Sequence, residues 1–459
     1  MGSRHPPWTT RNASGASNAS GVARSSHPLD AVKAVLIQGF SRSGIKSRVV
    51  RKQTRYASPH SGRTSETQHG DTTYVKGRRT LDRCVLGTLL VMWCGLLLVG
   101  QTDSPSPIQF SAAGEYGRAT TFQIALGDLD GDGDLDAVLA NQGSFDSRVL
   151  LNDGTGQFAM TDQLLTRNGH GIDLGDLDGD GDLDIFIACA YAFGRSLPSK
   201  IYFNDGHARF SDSGQDLGDT SISANLVQLA DIDGDGDLDA FVAYLTLARD
   251  FISLVYLNDG AGQFSRSEYD LPFGTLFQDL DGDGDADAFI KEPESMYRAL
   301  INDGHGVFEE VWRMDCTFLQ YEPFSIAFGD VDGDGDVDAV DTNGTWTQAG
   351  QTCLLLGDGH GAFEIRTTEL PSTYAAWPVL RDFDADGALD VFLSILIEDN
   401  QIWLNDGAGQ FSDSAVRLRG SGSCGPGVGD LDGDGDLDLF IPSYGTTGGP
   451  SIVWLLTSD

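Results

Sequence analysis

The sequence predicts an all-β fold, a seven-bladed β-propeller with an Asp-rich loop in each blade, and three observations lead there. A nine-residue Asp-rich segment recurs seven times, from Asp128 to Asp430, at steps of 48, 55, 48, 51, 52 and 48 residues. A second marker, NDGxGxF or a close relative, begins 23 to 28 residues after the first Asp of each of the first six segments. Between these markers lie short apolar stretches such as AVLA, IFIA, AFVAY, AFIK, VFLSI and LFIP. They are rich in β-branched and aromatic residues and show no sustained helical period.

A period near fifty is one supersecondary unit that packs against its neighbours. Four short strands fit each unit: A before the Asp loop, B after it, C before NDG and D at the Phe. Asn-Asp-Gly between apolar runs is a hairpin turn signal, because these residues tolerate positive φ. Four-stranded units repeated seven times indicate a propeller. The last unit reaches strand C at SIVWLL, residues 451–456, with no NDG after it. Phe110 precedes Asp128 by the same 18 residues that separate Phe158 from Asp176. The N-terminal strand is therefore expected to supply strand D of the seventh blade and close the ring, removing both sheet edges.

Ahead of the repeats the chain changes character. The whole sequence of 459 residues carries a formal charge of −38, yet residues 1–83 hold 15 Lys/Arg against 4 Asp/Glu. This leader is Ser-, Thr-, Arg- and Gly-rich and reads as disordered. Residues 84–100, CVLGTLLVMWCGLLLVG, are an uncharged run behind a basic flank. They read as an export signal or a short membrane anchor, with a start near residue 75 giving an ordinary cleavable signal. Residues 101–459 form the repeat body, which is expected to be secreted or held at the cell surface. Its acidity repels phosphate backbones and excludes nucleic acid as a partner.

The loops carry the chemistry. Loop 1, DLDGDGDLD, places Asp128, Asp130, Asp132, Asp134 and Asp136 at positions 1, 3, 5, 7 and 9. Loop 2 repeats them as Asp176, Asp178, Asp180, Asp182 and Asp184, and loop 3 as Asp231, Asp233, Asp235, Asp237 and Asp239. Loop 4 has Asp279, Asp281, Asp283, Asp285 and Asp287; loop 5 has Asp330, Asp332, Asp334, Asp336 and Asp338. Loop 6, DFDADGALD, keeps Asp382, Asp384, Asp386 and Asp390 but has Ala388 at position 7; loop 7 has Asp430, Asp432, Asp434, Asp436 and Asp438. Carboxylates at 1, 3, 5 and 9 with a main-chain carbonyl at 7 and a glycine bend at 6 make an all-oxygen cage for calcium. Ala388 keeps the carbonyl, so up to seven Ca2+ ions are expected. Position 12 is apolar, as at Leu139 and Ile187, so the bidentate Glu of a helical EF-hand is absent.

At these residues the sequence resembles the FG-GAP (also called VCBS) repeats, the units of the seven-bladed propeller of integrin α-subunits and of many exported bacterial proteins. The resemblance covers about residues 105–459. It departs from the Phe-Gly…Gly-Ala-Pro signature, since Leu-Gly-Asp or Phe-Gly-Asp precedes the loop. It implies calcium binding, and a role in adhesion with partners bound on the face away from calcium.

No nucleophile motif, zinc helix, phosphate loop or dinucleotide fingerprint appears in the body, so no enzyme is expected. His207, His305 and His360 follow the Asn/Gly-Asp-Gly turns at equivalent places and read as exposed turn residues. Cys189, Cys316, Cys353 and Cys424 allow three pairings or buried free thiols. The longer B–C and D–A loops, opposite the Asp loops, carry Tyr191, Trp312, Tyr321 and Trp346, aromatic candidates for a ligand face or for core. The function expected is recognition of or adhesion to a protein or glycan. A structural surface protein, or a polysaccharide-active enzyme on a propeller scaffold, is the alternative.

Overall fold

A computed structural model describes residues 108–459 except 193–194, 219–221, 247–250, 268–270, 293–295, 316–324, 346–347, 375, 421–424, 445–448 and 458–459. The leader and the apolar run 84–100 lie outside the described residues. The repeat body is a β-propeller built from antiparallel sheets, with each strand B pairing on one side with A and on the other with C. Strand B is largely apolar after its leading Asp because both its faces are covered: every residue of Asp184–Cys189 and of Asp390–Ile395 is buried. Strands A and D alternate instead, as in Ala376–Arg381 and Phe411–Leu418, since each has one less enclosed face.

Seven separate four-stranded blades were expected, and the described residues contain five. These are the sheets that begin at strands Gly169–Gly175, Ile222–Ala230, Thr275–Gln278, Ile326–Gly329 and Ala376–Arg381. The remaining main strands form one continuous seven-stranded sheet. The reason is the 19-residue strand Gln109–Gly127, which serves two partners. Its first part pairs antiparallel with Gly449–Thr457, from Gln109↔Thr457 to Ala119↔Gly449. Its second part pairs with Asp136–Gln142, from Thr120↔Gln142 to Gly127↔Asp136.

The core is distributed between units rather than within them. Phe186 and Ile201 of unit 2 pack with Val242 and Tyr256 of unit 3. Ile124 and Leu139 of unit 1 pack with Leu431, Phe440 and Val453 of unit 7. Tyr116 adds edge-on ring contacts to Phe158 and Phe440 at 5.5 and 5.6 Å, so the first and last strands share one apolar seam. A cavity of about 300 Å³ lies among the innermost strands of units 1 to 5, lined by residues such as Gln123, Asp173, Gln228 and Phe277. Its polar side chains stitch neighbouring units. Gln228 both accepts from Phe277 N and donates to Phe277 O, at 2.9 and 2.7 Å, and Asp173 Oδ2 accepts from Leu229 N at 2.9 Å.

Candidate functional site

Each Asp loop folds back on its own carboxylates. In loop 1, Asp128 accepts from Gly131 N at 2.8 Å and Gly133 N at 3.0 Å, and Asp132 Oδ1 accepts from Asp134 N at 3.0 Å. Gly131 and Gly133 take φ of 80° and 95°, which a Cβ would oppose and which lets the backbone wrap this tightly. Asp136 is fixed by two amides, Leu129 N on Oδ2 at 3.1 Å and Asn152 N on Oδ1 at 2.8 Å.

The wrap converges positions 1, 3 and 9. One carboxylate oxygen from each of Asp128, Asp130 and Asp136 lies within 4.8 Å of the others, and the same holds for the corresponding trios that start at Asp176, Asp231, Asp279 and Asp330 and for two more groups. Asp130 Oδ1 is buried without a hydrogen-bond partner, as are the position 3 oxygens of Asp178, Asp233, Asp332, Asp384 and Asp432. A buried carboxylate oxygen left unpaired is costly. Burial pushes the position 9 carboxyls up from 3.8 to about 6 at Asp136, Asp184, Asp287, Asp338, Asp390 and Asp438 and to about 7 at Asp239. A hard cation among these oxygens would meet both demands, so the residues fit a metal ion.

Position 7 points elsewhere. A Cβ on Gly154 of the NDG turn would overlap the Asp134 carboxylate, and the same relation holds for Gly206 with Asp182 and Gly260 with Asp237. In loop 6 the Ala388 methyl takes this place, and a Cβ on Gly407 would meet it at an ordinary contact distance of 3.7 Å. The Asp loop and the NDG turn therefore share one end of each unit, with the B–C and D–A connections at the other.

The Asn of the NDG turn does more than turn the chain. Asn204 N donates to Asp184 Oδ1 at 2.8 Å within its own unit, while Asn204 Nδ2 donates to Leu129 O of loop 1 at 2.8 Å. Asn152, Asn258, Asn302 and Asn405 make the same reach to the position 2 carbonyls of Leu431, Leu177, Ile232 and Val331 in the preceding loops, at 2.7 to 3.1 Å. The sequence signal was present as the invariant first letter of NDG in these units, but a turn preference accounted for it.

On the opposite face the expectations fare unevenly. Trp312 is a correction: it sits in strand Phe308–Asp315 rather than in a loop, and packs against Phe289 and Phe363 at 6.5 and 5.4 Å, so it covers the seam between units 4 and 5. Tyr321 and Trp346 lie outside the described residues, as does the side chain of Tyr191 in strand Tyr191–Ala192. An aromatic group that sequence reasoning missed gathers where strands of separate units meet: buried Phe122 stacks on His170 and meets Trp377 and Tyr444 edge-on at 5.9 and 5.6 Å. Burial lowers the His170 imidazole to about 4, which keeps it neutral, and its Nδ1 lies 3.0 Å from Asn225 O. His207, His305 and His360 are exposed on their turns. Cys189 is a buried free thiol pushed up to about 12 by burial, and Cys353 is buried in a different seam. Cys316 and Cys424 lie outside the described residues.

No curated protein matches the sequence significantly. Among solved structures, the BP39L lectin from Burkholderia pseudomallei aligns at 11% identity over 74% of this chain and 97% of its own, with a TM-score of 0.55. A lectin of Agrocybe aegerita that recognises non-reducing terminal N-acetylglucosamine aligns at 19% identity over 71% and 86%, TM-score 0.46. BBS1N, solved in complex with ARL6DN, aligns at 11% over 75% and 95%, TM-score 0.47. The Burkholderia match is a likeness of fold. The FG-GAP-like repeat family matches residues 128–187, 279–340 and 382–441, each stretch running from the first Asp of one loop into the strand after the next, so that six of the seven loops fall inside. With its recurring Asp loops and its propeller of antiparallel sheets, the chain carries FG-GAP-like repeats in its repeat body.

Proposed function

We propose that this chain is an exported, calcium-binding recognition module on a seven-bladed propeller. The observation that carries the calcium reading is the recurring cage of three converging carboxylates with a buried, unpartnered oxygen at position 3. An all-carboxylate and carbonyl donor set on a flexible glycine loop favours calcium over magnesium, which demands near-octahedral geometry. Positions 1, 3, 5 and 9 supply side chains and position 7 its carbonyl, one ion per loop.

Seven blades follow if the seven-stranded sheet is two blades that share Gln109–Gly127, divided where its pairing changes partner between Ala119 and Thr120. The seam formed by Ile124, Leu431 and Phe440 supports ring closure, since it joins units 1 and 7 as other seams join consecutive units. The basic leader and the uncharged run at 84–100 support export.

For recognition, the support is the aromatic group of Phe122, His170, Trp377 and Tyr444, flat rings from separate units on the face away from the Asp loops. Such rings stack on a sugar or anchor a peptide. The ligand is a protein or a glycan outside the cell. Titration of the purified protein with calcium, followed by glycan and protein arrays with and without Trp377→Ala, tests the reading. Absence of calcium uptake overturns the metal assignment, and equal array signals for the variant overturn the aromatic site.

A further inference from the structure

We propose that the Asn of each NDG turn couples calcium uptake at neighbouring loops, so that the sites fill as one run of five and one run of two. This rests on the calcium reading above. From Asp136 to Asp184 the connection is continuous: Asp136 Oδ2 accepts from Leu129 N, Leu129 O accepts from Asn204 Nδ2, and Asn204 N donates to Asp184 Oδ1. These hydrogen bonds lie in the interior, where water does not compete for them. One turn is thus held by two cages. Metal at either cage fixes the position 9 carboxylate and with it the shared turn, so the entropy of ordering that turn is met once for two ions.

The chain breaks in two places. In unit 5 the Asn is replaced by Gly357, whose N still donates to Asp338 Oδ1 at 2.8 Å but which has no side chain to reach loop 4. In unit 7 the equivalent residue is Leu456, whose N donates to Asp438 Oδ1 at 2.8 Å and whose side chain has no amide.

The position 4 residue of the preceding loop reports the same breaks independently. In loops 2 and 5 a Cβ at Gly179 or Gly333 would meet the carbonyl of the next unit's turn at 3.1 Å, whereas at Gly282 of loop 4 nothing lies within 4 Å. In loop 6 position 4 is already Ala385, at φ 58°, where no NDG turn approaches from unit 7. Loops 7, 1, 2, 3 and 4 are therefore linked in series, and loops 5 and 6 form a separate pair.

Native mass spectrometry of the full chain across a calcium titration reads the runs directly. Two-ion and five-ion species should accumulate over the other intermediates, with a filled neighbour raising affinity about fivefold or more, the lower range of measured couplings. Asn204→Ala removes the side-chain link and keeps the main-chain bond to Asp184. It should replace the five-ion species by two-ion and three-ion species, and Asn204→Asp, which fills the same space without the donor, should do the same where the alanine variant folds poorly. Statistical filling by the unaltered protein, or an unchanged pattern in both variants, overturns the coupling and leaves the calcium reading standing. Absence of any calcium uptake overturns both.

Discussion

The Lys291 ammonium lies 2.8 Å from Asp341 Oδ1, with the two side chains 1% and 0% exposed, and it ties unit 4 to unit 5 where no Asn link exists. Tyr297 donates to Asp341 Oδ2 at 2.5 Å, and Ser325 Oγ and Asn343 N lie 3.0 Å from Oδ1. Lys291→Met should cost about 3 kcal/mol, the lower part of the range for breaking a buried pair, because these donors still hold the carboxylate. The double variant Lys291→Met/Asp341→Asn should recover most of the loss in urea unfolding. Equal losses for single and double variants would show that packing around Lys291, not its charge, sets the cost.

Metal removal and acidity should act against each other. Without calcium the position 9 carboxyls have folded-state values raised by burial from 3.8 to about 6, and to about 7 at Asp239. Their contribution to stability is then fully present below 3.8 and lost as pH rises through 6 to 7. Chelated protein should therefore melt higher at pH 5 than at pH 8. Calcium needs the ionised carboxylates, so the rise in Tm on adding it should be large at pH 8 and shrink towards pH 5. Calorimetry at the two pH values with and without chelator checks both signs; a calcium effect that grows on acidification contradicts the assignment.

Much of this was legible because the ligand pattern is local. Nine consecutive residues from Asp128 to Asp136 contain the three converging carboxylates, so spacing alone pointed to that cluster. What reading along the chain missed is what comes together from far apart. Asn204 meets Leu129 across 75 residues, and the NDG triplet already had a sufficient local explanation as a turn. Phe122, His170, Trp377 and Tyr444 come from four units and share no motif. Trp312 misled because EVWRMD has the polar look of a loop, yet strand Phe308–Asp315 turns its less exposed residues towards Phe363. The sheet count differed because one strand, Gln109–Gly127, spans what the repeat pattern divides into two.

The pairing of Gln109 with Thr457 predicts a sharp dependence on the first strand. Deleting residues 108–119 exposes the strand Gly449–Thr457 as an unpaired edge and removes Ile108 and Tyr116 from their seams. Soluble aggregates should appear by light scattering. Deleting residues 1–83 should leave the melting curve unchanged, and similar damage from both truncations would argue against closure by this strand.

Two glycines at the same loop position should respond differently to one methyl group. Gly234 and Gly282 both occupy position 4 of their loops, at φ 75° and 79°, so alanine at either site meets the left-handed penalty of roughly 1–2 kcal/mol. At Gly282 the Cβ has nothing within 4 Å, and Ala385 shows that position 4 can carry one. At Gly234 the Cβ would overlap the Gly304 carbonyl oxygen, which is main chain and cannot rotate away. Accommodation must displace the NDG turn of unit 4 and strain the bond from Asn302 Nδ2 to Ile232 O at 3.1 Å. Gly234→Ala should therefore destabilise the protein by at least about 1 kcal/mol more than Gly282→Ala, the size of a lost hydrogen bond. It should also weaken calcium binding at loops 3 and 4, which share that turn, whereas Gly282→Ala should disturb at most its own loop. Denaturant midpoints in chelator give the first comparison and calcium titrations give the second; equal effects of the two substitutions in both would mean that the loops do not feel their neighbours.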